Sequence, residues 1–114
     1  MPYVQVRTTG SLKTEQVNAL RSGVADGIGL LPGKTLSSLM IEIVPDCNIS
    51  LGEPSQEGCA FIEVLVNNDL AEQDLKAYSK HLCELVETIT GIPLERVYVV
   101  HGSHRNWHSG RQFR

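Results

Sequence analysis

The residues able to do chemistry are Pro2 behind the initiator methionine and a tail crowded with arginine, histidine and aromatic side chains. Pro2 runs directly into Tyr3-Val4-Gln5-Val6, an alternating β-branched stretch that reads as a strand. With the methionine removed, that strand begins with a free secondary amine held rigidly at the edge of a sheet. Apolar walls or a nearby cation disfavour its charged form and pull its pKa down. The neutral amine is then a general base. With the methionine kept, the same nitrogen is an amide and has no basicity. A cation beside the amine would favour the neutral form and hold a developing anion, and Lys34 is one cation the sequence offers. Taken by itself, a lysine past a helix end also suits the helix dipole.

Two other patterns look like chemistry and do not hold up. Gly29-Leu-Leu-Pro-Gly33-Lys34-Thr35 is one residue short of a phosphate-binding loop, and it follows a helix and precedes a strand, the wrong order for cradling phosphate. No regular element would aim His101, His104 and His108 at one point, and no cysteine or acid sits at ligand spacing, so no metal site is expected. No nucleophile–histidine–acid arrangement is visible.

The elements that position Pro2 and Lys34 follow from periodicity. Residues 2–8 form a first strand. Ser11 and Thr14 offer N-cap hydroxyls, and Val17, Leu20, Val24, Ile28 and Leu31 mark one stripe of a helix. Gly27, Gly29, Pro32 and Gly33 end it. Residues 39–44 form a second strand, and residues 46–58, rich in Ser, Gly, Pro and acid, a loop. The pattern then repeats: a strand at 59–66, an Asn68-Asp69…Glu72 capping box, a helix striped by Leu75, Tyr78, Leu82, Leu85, Val86 and Ile89, and a strand at 96–101. His81 falls on that helix's polar side.

Right-handed crossovers make each half a βαβ unit with parallel strands. The expected fold is an α/β (α+β) sandwich: two βαβ units, pseudo-repeats at about 2–45 and 59–101, form one four-stranded mixed sheet with both helices on one face. Residues 102–114 form a tail, and 1–114 a single domain. Both sheet faces read as largely apolar, yet two helices cover only one. The other face is therefore expected to meet further copies of the chain.

Bulk properties bound the partners. The 114 residues are 41% hydrophobic and 20% charged, ordinary for one globular domain. A net charge of −3 lacks the basic footprint of nucleic-acid binding. No leader or membrane-length apolar run is visible, so a cytoplasmic location is expected, with no membrane partner. Cys47, Cys59 and Cys83 are odd in number and widely spaced, which reads as packed, reduced thiols.

Met1-Pro2, Gly33-Lys34 leading to Val44-Pro45-Asp46, Cys59-Ala60, Tyr78-Ser79-Lys80, Leu82-Cys83, Gly91-Ile92-Pro93 with Arg96-Val97-Tyr98, and finally Trp107 and Phe113 occur in an order that resembles the tautomerase superfamily. The likeness is nearest to the branch of macrophage migration inhibitory factor and phenylpyruvate tautomerases. It implies a homotrimer whose sheets line the inside, with each active site at a subunit boundary and no cofactor. It also implies roles: Pro2 as general base, Lys34 holding a carboxylate or enolate, and Tyr98 contributed by a neighbouring subunit. Asn67 falls where the family uses a backbone N–H as donor, and Arg105, Trp107 and Phe113 fall where substrate would be bound.

The chain departs from the family at Val100, where near relatives carry asparagine, and at Ile62, where the cytokine carries its second cysteine. Its tail is also more basic than the family's. Three arginines there (Arg105, Arg111, Arg114) suit an anionic substrate such as a dicarboxylate, or ion pairs with Asp46, Glu53 or Glu57 across a subunit boundary. The resemblance thus implies a tautomerase of 2-oxo acids acting on a small carboxylate. The alternatives are a dehalogenase, hydratase or decarboxylase of short acids on the same scaffold, and a non-catalytic trimeric binding protein.

Overall fold

The structure is a computed structural model describing residues 1–53 and 55–114; Pro54, in the loop expected at 46–58, lies outside the described residues. Strand β1 (Tyr3–Thr8) buries Val4, Val6 and Thr8 and turns Tyr3, Gln5 and Arg7 the other way, the two-residue period of a pleated strand. It lies between β2 (Met40–Val44), parallel to it, and β3 (Ala60–Val66), antiparallel; β4 (Val97–Ser103) runs parallel to β3. The sheet order is β2-β1-β3-β4. Two parallel pairs thus meet at one antiparallel seam, giving the mixed sheet expected from a repeated βαβ. Helices α1 (Thr14–Asp26) and α2 (Glu72–Thr90) cover one face.

The core sits between them. Leu20 and Val24 of α1, with Ile28 and Leu31 beyond it, meet Tyr78, Leu82 and Val86 of α2 over Val4, Val6, Ile62 and Val64 of the sheet. Tyr78 is fully buried, and its hydroxyl donates to the Val24 carbonyl at 3.0 Å. That bond satisfies a polar group that would otherwise be costly to bury. Helix α2 stops at Gly91, whose φ of +80° is left-handed and whose N–H donates to Glu87, the usual glycine-terminated end.

Both helix starts differ from the expected caps. Lys13 is the N-cap of α1, and its own N–H donates to the Gln16 side chain at 2.8 Å. Ser11 lies too far upstream and donates instead to Asp46 at 2.9 Å, while Thr14 is already inside the helix. Ala71 caps α2 without a side-chain bond. Asn68 and Asp69 are taken up elsewhere, by Lys34 and Ser103. In both cases a long-range partner outcompetes the local capping bond.

His81 is not on a polar face. Its ring stacks on Tyr78 with centroids 6.1 Å apart, and its Nε2 donates to the Gly23 carbonyl at 2.7 Å. The close approach that permits this depends on Gly27, where a Cβ would lie 2.4 Å from the His81 ring. Gly27→Ala is therefore expected to destabilise the chain by about 1–3 kcal/mol, lowering Tm by roughly 5–15 °C. Calorimetry checks this, and an unchanged Tm would mean that the ring swings aside at no cost.

The uncovered sheet face is less apolar than the sequence suggests. Its middle row carries Gln5, Glu42 and Glu63 beside Val100. Tyr3 Oη and Gln5 Nε2 both donate to Glu42 Oε1, each at 2.6 Å. Burial, followed by the bond to Glu42, pushes the Tyr3 phenol up to about 12, while the bonds from Tyr3 and then Gln5 hold Glu42 below its ordinary value. The discrepancy comes from the outward side of β1 and from Glu63, which alternation alone turns toward this face. Large apolar groups remain exposed at its ends, with Met40 at 67% and Tyr98 at 56%.

Candidate active site

A cleft of about 890 Å³ opens where β1 and β2 begin and β3 ends. Pro2 is fully buried in its wall, and its carbonyl accepts the Met40 N–H at 3.0 Å. Parallel pairing with β2 thereby fixes the start of the chain. Met1, Tyr3, Met40, Leu65, Asn67 and Trp107 also line the cleft. The amino group on Met1 is held below the ordinary value of a chain terminus, first by burial and then by the charges of Lys34 and Arg114. Each cause disfavours the ammonium form.

Lys34 follows Gly33, whose φ of +78° turns the chain back from the end of the α1 segment. The Lys34 Nζ donates to Asn67 Oδ1 at 2.8 Å and to Asn68 Oδ1. It reaches the cleft edge through Asn67 and is not itself part of the wall. Its partners are neutral amides, so its charge is positioned without being cancelled. Burial holds its pKa below the usual lysine value.

The structure brings some expected residues together and separates others. Pro2, Asn67 and Trp107 share the cleft, and the Trp107 Nε1 donates to the His104 carbonyl at 2.7 Å. Asn67 presents its side-chain oxygen to Lys34, in addition to any backbone role. Arg105 lies in an adjoining cleft of about 350 Å³ with Asn67, Asn68, Asp69 and Ser103. Phe113, on the short hairpin of β5 (His108–Ser109) and β6 (Gln112–Phe113), is 67% exposed and outside the cleft wall.

Tyr98 pairs with Phe61, at the end of the sheet opposite Tyr3 and Leu65. Four residues of strand separate the two levels, about 13 Å at the usual rise. Within one chain Tyr98 does not reach Pro2.

Arg114 was not singled out by sequence, yet it lines the cleft beside Pro2. Only the basic tail pointed to it, and two-residue strands have no periodicity to say which arginine turns inward. Among the described residues the ion pairs are Lys76–Glu72 and Lys80–Glu84; no tail arginine pairs with an acid within the chain.

The three tail histidines diverge. His101 faces α2 and bonds Ser79 Oγ at 2.6 Å, and burial holds its pKa below the ordinary value. This Ser–His pair was hidden by sequence separation, and the His101 Nδ1 has no acid partner. His104 backs Trp107, and His108 donates to the Gly110 carbonyl at 2.8 Å. Among the described residues no three histidines, cysteines or acids converge on one point. Cys47, Cys59 and Cys83 are free thiols, and no described helix is long and apolar enough to cross a membrane.

Residues 1–112 match the family model of macrophage migration inhibitory factor. The macrophage migration inhibitory factor of Xenopus laevis is 28% identical over 99 residues, covering 87% of this chain and 84% of that one. Among solved structures, MIF2 of Leishmania major superposes with a TM-score of 0.88 at 21% identity, over 99% of this chain and 97% of that one. The protein Pt0534, solved after inactivation by 2-oxo-3-pentynoate, superposes with a TM-score of 0.78 at 20% identity, over 96% and 92% of the two chains.

Proposed function

We propose that this chain, which belongs to the macrophage migration inhibitory factor family within the tautomerase superfamily, is a cofactor-independent keto–enol tautomerase of 2-oxo acids, with Pro2 as its base once Met1 is removed. The observation that carries the reading is the burial of Pro2 in the wall of a cleft flanked by two cations that no acid cancels. Removal of Met1 leaves the basic nitrogen on Pro2, the buried residue that leads into β1 in the wall of the same cleft. Desolvation, Lys34 and Arg114 then act on it in the direction that keeps it neutral.

The reaction moves one proton. The enol hydroxyl gives up its hydrogen, the adjacent carbon gains one, and Pro2 nitrogen is the relay between them. Lys34, tethered by Asn67 and Asn68, stabilises the enolate oxygen and the neighbouring carboxylate, where negative charge is greatest in the transition state. Tyr98 enters from another subunit of a homotrimer. Its distance from Pro2 within the chain and the exposed Met40 and Tyr98 on the uncovered face support that assembly.

A neutral, nucleophilic terminal amine gives a direct test. An acetylenic 2-oxo acid such as 2-oxo-3-pentynoate is expected to add once, at Pro2 nitrogen, the alkyne carbon taking the amine and its neighbour the proton. Intact mass should show loss of Met1 and a gain of one inhibitor, with the modified peptide at the N-terminus. Retained Met1 or an unlabelled terminus would favour the binding-protein alternative.

A further inference from the structure

Of the three arginines in the tail, the fold delivers one to the cleft. Arg114 lines it with Pro2 and Trp107, Arg105 belongs to the adjoining cleft, and Arg111 is exposed in the turn between β5 and β6. The placement of Arg114 is built. Its backbone N–H donates to the Trp107 carbonyl at 2.8 Å, closing the hairpin, and Trp107 is itself held by the His104 carbonyl.

Neither Arg114 nor Lys34 has a carboxylate partner among the described residues. Lys34 leans on the amides of Asn67 and Asn68. Although the chain carries a net charge of −3, two cations stand around one cleft with no ion pair to either among the described residues. Met40, Leu65 and Trp107 furnish apolar wall between them. One carboxylate satisfies one cation. The exposed Arg114 guanidinium at the cleft is then left free, and its planar fork is the natural partner of a second carboxylate.

We infer that the substrate of this cleft is a dianion: a 2-oxo acid bearing a second carboxylate at the far end of a short carbon chain, bound by Arg114. The inference rests on the tautomerase reading above and narrows it. Lys34 takes the 2-oxo carboxylate end and Arg114 the distal one, so the carbon receiving the proton is stretched past Pro2. Nothing is added to the chemistry, since the proton lost by the enol oxygen is the one gained by carbon.

The test compares ketonisation of the enols of oxaloacetate and phenylpyruvate by the processed protein and by Arg114→Gln and Arg114→Lys. The wild type is expected to favour the dianion in kcat/KM. Arg114→Gln should lower the dianion's value by about 30-fold, chiefly through KM. The loss on the dianion should exceed that on the monoanion at least about tenfold, with Arg114→Lys intermediate. A wild type that prefers phenylpyruvate, or equal losses on both substrates, overturns the assignment. Should neither enol be turned over, the tautomerase reading fails, and calorimetric titration with glutarate and butyrate still decides the binding claim. Tighter binding of glutarate that vanishes in Arg114→Gln supports it, and equal affinities overturn it.

Discussion

Protein that keeps Met1 is expected to ketonise enol 2-oxo acids about 10²–10⁴-fold more slowly than protein that has lost it, the range a positioned general base supplies. Retention converts the Pro2 nitrogen into an amide. The replacement amine, on Met1, does sit in the cleft with a lowered pKa. It is one residue displaced, however, and carried on a flexible primary amine instead of a ring fixed by β1. A displacement of even 1 Å can cost about 100-fold. Pro2→Ala should fall between the two, because it preserves an amine but loses the ring. Rates on all three forms, with intact masses to define each terminus, check the ordering; equal rates would remove Pro2 from the mechanism.

The pH profile adds a sign. The proposed base must be neutral, so kcat/KM is expected to rise with pH through a pKa below that of an ordinary terminus, because the burial and the Lys34 and Arg114 charges that lower the Met1 amine would act on Pro2 as well. Lys34 must stay charged, and burial lowers its pKa as well. The alkaline limb therefore comes earlier than a solvated lysine would give. The result is a bell whose acidic and alkaline limbs both lie at lower pH than a solvated amine and a solvated lysine would give.

What the sequence made legible was whatever periodicity or covalent identity decides. Alternation in Val4–Val6 and Ala60–Val66, and the stripes from Leu20 and Tyr78, specify strands and helices locally, and the repeated βαβ fixes their pairing direction. Pro2 is legible because only the second residue can become the terminus by losing one methionine. The caps at Ser11 and Asn68 were misread because each side chain has a partner more than thirty residues away, and capping rules see only neighbours. His81 was misplaced for the same reason: Gly27, the residue that ends the facing helix, makes room for it. Arg114 was read only as one of three tail arginines because hairpin geometry, not composition, selects it. The uncovered face was overestimated as apolar because Gln5, Glu42 and Glu63 form one row only after register brings three strands together.

Register also yields the second large effect, a recovery of activity from two impaired parents. Tyr98 and Pro2 stand at opposite ends of the sheet in one chain, so a site using both takes them from different copies. Pro2→Ala and Tyr98→Ala should each be severely impaired, the second by loss of a hydroxyl aimed at the developing charge, worth about 10²-fold or more. Unfolded together in equal amounts and refolded, they should regain about one quarter of wild-type activity if assembly is random and each boundary site draws one residue from each of two subunits. The fraction follows from chance: half of the sites receive an intact proline, and half of those an intact tyrosine. A site contained within one chain predicts no recovery at all, since every chain carries one lesion. Activity of the mixture equal to the mean of its parents would therefore place Tyr98 outside the site and leave it as a packing residue of the exposed sheet face.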